Sequence, residues 1–116
     1  MNRYLHLAMK CAIRSQCRYR VGAVVVKGGR ILSTACNQHR NLPSIDFHHA
    51  TFHAEEMALR RAPHVRGAVI YVARVTPAGA AALARPCARC VQGLQRCGIA
   101  SAWYTTALGP ERLRLL

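Results

Sequence analysis

Acidic residues are scarce in this chain. Four Asp and Glu stand against 17 Lys and Arg, a formal net charge of +13 over 116 residues. Only Asp46, Glu55, Glu56 and Glu111 offer a carboxylate, so any carboxylate chemistry must draw on that short list. Lysine is nearly missing as well. Apart from Lys10 and Lys27, every cationic side chain is arginine, the better residue for bidentate phosphate contacts. No apolar run is long enough to span a membrane. No secretory leader is expected, because Lys10 and Arg14 interrupt any hydrophobic region near the start and no cleavage site follows. Repeats, low-complexity tracts and long linkers are lacking. The expectation is one domain over residues 1–116.

Apolar residues make up 52% of the chain, which argues against disorder. A chain of this size buries roughly two-thirds of its unfolded surface, enough for one sheet and a few helices. The excess of arginine points to polyanionic partners, nucleic acid first; a solvated basic surface is the plainer alternative. Six cysteines would suit disulfides in a secreted protein. Without a leader, a reducing, cytoplasmic setting is expected, with Cys11, Cys17, Cys36 and Cys97 as buried or free thiols.

Residues 3–17 read as an amphipathic helix, with Leu5, Met9, Ala12 and Ile13 at helical spacing. Val21 to Val26 is a β-branched run suited to a strand buried on both faces. Gly28-Gly29 marks a hairpin turn into a returning strand, Arg30 to Cys36. Residues 37–50 read as a loop, and a helix is predicted from about Thr51 to Arg61, ahead of Pro63. Ala68 to Val75 is the next strand. Pro86 fits the first turn of a helix and Gly98 its C-terminal cap, so Cys87 to Cys97 reads as helix. A strand over Ser101 to Thr106 precedes a short tail, Glu111 to Leu116. Tyr71 and Trp103 sit in apolar strand patterns and read as core. Strands joined through helices favour a mixed sheet, here of about four strands, with helices on both faces.

Two short motifs carry chemistry: His53-Ala54-Glu55 and Pro86-Cys87-Ala88-Arg89-Cys90. One histidine and two cysteines give three ligands for a tetrahedral Zn²⁺, and the fourth position stays open for water, as in catalytic sites. Cys87 and Cys90 are three apart, on one face of a helix start where N–H groups and the dipole favour thiolates. A lone C-x-x-C could also be a redox pair, but its thioredoxin-like context is missing. A structural zinc ribbon would need a second C-x-x-C, which the chain does not have.

The H-x-E…P-C-x-x-C pattern resembles the signature of the cytidine deaminase superfamily of zinc-dependent nucleobase deaminases. Val21-Gly22-Ala23-Val24-Val25-Val26 is similar to the first strand of its deoxycytidylate and tRNA adenosine deaminase branch. Gly98-Ile99 with Trp103-Tyr104-Thr105-Thr106 is similar to that branch's helix exit and fourth strand. The resemblance implies a three-layer α/β fold, zinc as cofactor, His53, Cys87 and Cys90 as its ligands, and Glu55 as proton carrier for the attacking water. It implies substrate contacts at Asn37 and Ala54; Pro86, and Arg40 in a loop that also holds His39, His48 and His49 and is expected to border the pocket mouth, are further candidates. Two features depart from it. Arg85 stands where tRNA adenosine deaminases usually carry glutamate. The chain also ends soon after the fourth strand, so the usual fifth is expected to be absent and the sheet edge open, or covered by another copy in a homo-oligomer. The expected reaction is cytosine to uracil. Charge favours single-stranded DNA or RNA as substrate. A free deoxycytidine nucleotide is the alternative, and a nucleic-acid-binding module with a vestigial zinc site is the reading from another class.

Overall fold

The first helix ends sooner than its apolar spacing predicts. A computed structural model of the chain describes residues 2–39 and 51–116, and in it α1 runs over Arg3–Ile13. Asn2 caps its start by accepting from the Tyr4 amide at 2.6 Å. At the other end the amides of Arg14 and Ser15 fold back onto Cys11 and Ala12 carbonyls, three residues behind. The Ser15 hydroxyl then accepts from the Cys17 amide and donates to the Asn37 carbonyl, both at 3.1 Å. Those bonds draw residues 14–19 across to the sheet instead of onward as helix to residue 17. The buried face of α1 is Leu5, Ala8, Cys11 and Ala12; Ile13, expected in it, is 54% exposed.

Strands β1 (Arg20–Lys27) and β2 (Arg30–Cys36) form the predicted hairpin. Gly28 and Gly29 turn it with φ of 58° and 76°, values that favour glycine. Beyond it, β3 (Gln38–His39) and β4 (Thr51–Phe52) pair as a small antiparallel ribbon. That ladder holds residues 51–52 extended, so α2 (Ala54–Arg61) begins later than predicted, with His53 as its N-cap. Then follow β5 (Val69–Val75), a two-residue strand β6 (Ala81–Ala82), α3 (Ala88–Arg96), β7 (Ser101–Tyr104) and β8 (Glu111–Arg114).

The large sheet has the order β2-β1-β5-β7-β8. Only β5 and β7 are parallel; β1 runs antiparallel to both β2 and β5, and β8 antiparallel to β7. Strand β6 pairs with the end of β5 at Arg74 and Val75. The mixed α/β class and the three layers are as predicted, and the sheet is larger than the four strands expected. The tail is where the reading fails. Residues 111–114 supply the edge strand thought to be missing, and Leu115 packs into the protein's own core at 8% exposure.

Alternate residues of β1 feed two cores, which is why the run Val24-Val25-Val26 is apolar throughout. Val24 and Val26 pack with Leu5, Ala8 and Tyr71 under α1. Ala23 and Val25 pack with Ala54, Ala58, Ile70, Val72 and Leu94 under α2 and α3. Helix α1 comes so close to β1 that a Cβ on Gly22 would strike the Ala8 carbonyl oxygen and lie 2.6 Å from the Ala12 nitrogen. Among the described residues, no helix is long and apolar enough to cross a membrane.

Candidate metal centre and its cavity

The N-termini of α2 and α3 meet beside one cavity. His53 is the N-cap of α2 and Cys87 the N-cap of α3, and neither side chain caps its own helix. Instead they turn toward each other. His53 Nδ1 lies 3.2 Å from Cys90 Sγ and 3.8 Å from Cys87 Sγ. All three donor atoms fall within 4.8 Å of one another. Ordinary Zn–N and Zn–S bonds in a tetrahedron place N and S about 3.6 Å apart and two sulfurs about 3.8 Å apart. One borderline nitrogen and two soft sulfurs at these separations could hold zinc. Burial, with Glu55 and Cys87 close by, pushes the Cys90 thiol up; a bound cation reverses this, since a coordinating thiol gives up its proton.

Glu55 follows His53 by two residues, in the first turn of α2, and is 6% exposed. Burial pushes its carboxyl above the usual carboxylate range, against the opposing pull of its own backbone amide, His53 and Cys90. Glu56 points elsewhere. Burial pulls it upward too, but the hydrogen bond and charge of Arg89 outweigh that and hold its carboxyl below the ordinary value. The Arg89 Nη2 to Glu56 contacts are 3.0 and 2.9 Å. This pair ties the two helix starts together.

The cavity has a volume of about 610 Å³, within the range of small-molecule sites. His53, Ala54, Glu55 and Cys87 line it. Asn37 lines it too, but its amide is already engaged: Nδ2 donates to the Tyr19 carbonyl at 2.6 Å and Oδ1 accepts from the Val21 amide at 3.0 Å. Pro86 is buried just ahead of the α3 cap and is not a lining residue. Arg40, His48 and His49 lie outside the described residues, as does the His39 side chain. Sequence reasoning missed Cys17, Arg18, Tyr19, Leu83 and Arg85 on the cavity wall. Cys17 was hidden because helical spacing ran on through it, and Arg18 and Tyr19 fell in the unassigned stretch between that helix and the strand from Val21.

The sequence profile of the cytidine and deoxycytidylate deaminase zinc-binding region matches residues 1–106. The chain belongs to this family. Its fold is similar to that of the dCMP deaminase of cyanophage S-TIM5, with a TM-score of 0.70 at 24% identity over 88% of this chain and 79% of that one. The cytidine deaminase of Burkholderia pseudomallei is similar over 99% of this chain and 94% of its own, with a TM-score of 0.73 and 18% identity. That of Mycobacterium tuberculosis reaches 26% identity and a TM-score of 0.64, over 98% and 89%. Comparison with curated proteins gives no significant sequence match. All six cysteines of this family member are free thiols.

Proposed function

We propose that the chain is a zinc-dependent hydrolase converting the cytosine of a deoxycytidine nucleotide to uracil, with His53, Cys87 and Cys90 as ligands and Glu55 as proton carrier. The observation that carries this reading is a buried carboxyl set beside three convergent metal donors, two of which, His53 and Cys87, line the same cavity as that carboxyl. When bound in such a site, zinc lowers the pKa of a water toward neutrality and so provides a nucleophile at ordinary pH. The proton traffic falls to the chain. Glu55 is the one acid among the described residues of the cavity wall. It takes the water proton, passes it to the ring nitrogen as C4 becomes tetrahedral, and serves the amino group as it departs as ammonia. Water enters, ammonia leaves, and the C4 carbonyl of uracil remains. Ala54, whose side chain is fully buried, offers its backbone to the base edge.

A single-stranded polynucleotide is the second reading, favoured by the net charge of +13. The first rests on the likeness to a dCMP deaminase. One experiment tests both. Zinc-loaded protein is given deoxycytidine, dCMP, single-stranded DNA, duplex DNA and single-stranded RNA, with Glu55→Ala alongside and its zinc content measured. Glu55→Ala is expected to keep its metal and lose about 10²- to 10⁴-fold in turnover. Unchanged turnover in that variant would overturn the proposed role. Uracil appearing only in polymer would replace the first substrate reading by the second.

A further inference from the structure

Arg85 has a setting that metal binding and proton transfer do not explain. It stands two residues before Cys87 and lines the same cavity as His53 and Glu55. One guanidinium nitrogen donates to the Tyr104 hydroxyl at 3.3 Å, and the group lies 5.9 Å from the centre of that ring. Tyr104 is itself 2% exposed, and its hydroxyl donates to Glu111 Oε2 at 2.8 Å. So an acid on the edge strand β8 fixes a buried tyrosine, which in turn steers an arginine at the cavity wall. The guanidinium has five N–H donors in a rigid fork, and Tyr104 engages one nitrogen. Neither Arg85 nor its neighbour on the wall, Arg18, forms an ion pair with a carboxylate among the described residues.

We infer that Arg85, positioned by Tyr104 and Glu111, is the residue that reads the phosphate ester of the substrate. This rests on the deaminase reading above. A cytosine-bearing substrate carries one kind of anion, its phosphate, and a planar fork with spare donors is the side chain suited to it. Glu111 is held off by the tyrosine, so it orients the guanidinium without occupying its free donors. Arg85 would thereby separate nucleotides from nucleosides. A monoester on a free nucleotide and a diester in a polymer present the same chemistry to it.

The test compares wild type with Arg85→Ala, Arg85→Lys, Tyr104→Phe, Glu111→Gln and Lys10→Ala, the last removing a charge from an exposed position on α1. Two readouts are taken on zinc-loaded protein. Calorimetry compares binding of dUMP with deoxyuridine. Kinetics compare dCMP, deoxycytidine and an oligonucleotide with one internal cytosine. Arg85→Ala is expected to lower the preference for the phosphorylated ligand about 10- to 100-fold, chiefly through KM. Arg85→Lys should recover part of that preference. Tyr104→Phe and Glu111→Gln should each lower it several-fold, and Lys10→Ala should leave it alone. Dependence on Arg85 with dCMP identifies the monoester as the source; dependence with the oligonucleotide alone identifies the diester. Equal losses for phosphorylated and unphosphorylated ligands would overturn the inference. Should no substrate turn over, the deaminase reading fails, and the dUMP-to-deoxyuridine ratio still decides the role of Arg85.

Discussion

The guanidinium of Arg89 closes on the carboxylate of Glu56 at 2.9 Å and joins the first turn of α3 to the first turn of α2. Each of those turns carries part of the candidate metal centre: His53 precedes Glu56 by one helical turn, and Arg89 sits between Cys87 and Cys90. An ion pair this exposed adds little to global stability. Its consequence is local, in the spacing of the donor atoms. Glu56→Gln is therefore expected to weaken zinc binding about tenfold, in the manner of outer-shell partners elsewhere, while the melting temperature hardly moves. Competition against a chromogenic chelator measures the first and thermal denaturation the second.

The same pair has a pH signature. The Glu56 carboxyl lies below its ordinary range in the folded chain, so the folded state binds its proton less readily than the unfolded state does. The stabilisation is complete above the ordinary carboxylate value and is lost as pH falls through the lower, folded one. The small stability difference between metal-free wild type and Glu56→Gln, read by chemical denaturation, should vanish at acid pH and shrink with salt. A difference that persisted in acid would mean that Glu56 acts by packing and not by charge.

Asn37 holds the cavity wall in place through backbone. Its amide bridges the Tyr19 carbonyl and the Val21 amide, locking the segment that leaves α1 and enters β1. Asn37→Ala leaves that amide and carbonyl without their partner, at a cost of about 1–3 kcal/mol. Substrate affinity should fall along with stability, since Tyr19 and Arg18 line the cavity. Amide exchange at Val21 is the direct measurement. Unchanged protection there would show that the clamp is dispensable.

What could be read in the sequence, and what could not, divides by range. His53, Glu55, Cys87 and Cys90 announce themselves because each half of the site is a run of a few residues with fixed local geometry. The strands of the two cores are legible for the same reason: β-branched runs bounded by Gly28-Gly29 or Pro77 need no distant partner to be recognised. Arg85, Tyr104 and Glu111 are ordinary residues in three separate segments: the pairing of β8 with β7 sets Glu111 opposite Tyr104, and the Ala84 amide, donating to the Thr105 carbonyl, brings Arg85 beside them. The early end of α1 depends on Ser15 reaching the Asn37 carbonyl, a contact across the sheet that helical periodicity cannot register. Strand β6 is too short at two residues to leave a pattern.

Gly22 is a packing requirement, not a turn. A methyl group there would meet the Ala8 carbonyl and the Ala12 nitrogen, both backbone atoms that cannot rotate aside. Gly22→Ala must push α1 off the sheet. The expected loss is about 2–3 kcal/mol, read as a lower urea midpoint at constant slope. A neutral result would mean that α1 can slide without disturbing Leu5 and Ala8.

The tail offers the last test, because docking and fraying predict different things for adjacent leucines. Leu115 is 8% exposed, packs in the core under α2 and α3, and donates its amide to the Ala100 carbonyl at 3.0 Å. Leu116 is 72% exposed. If the tail is docked, Leu115→Ala should cost about 2–3 kcal/mol and Leu116→Ala almost nothing. A frayed tail would make both substitutions silent. The result reaches the candidate site as well. Strand β8 carries Glu111, and Glu111 bonds the hydroxyl that meets Arg85. Loosening Leu115 should therefore also lower the preference for phosphorylated ligands, in proportion to how far β8 detaches. Chemical-denaturation curves for the two leucine variants, paired with the dUMP-to-deoxyuridine binding ratio, would show whether the edge strand and the cavity wall move together.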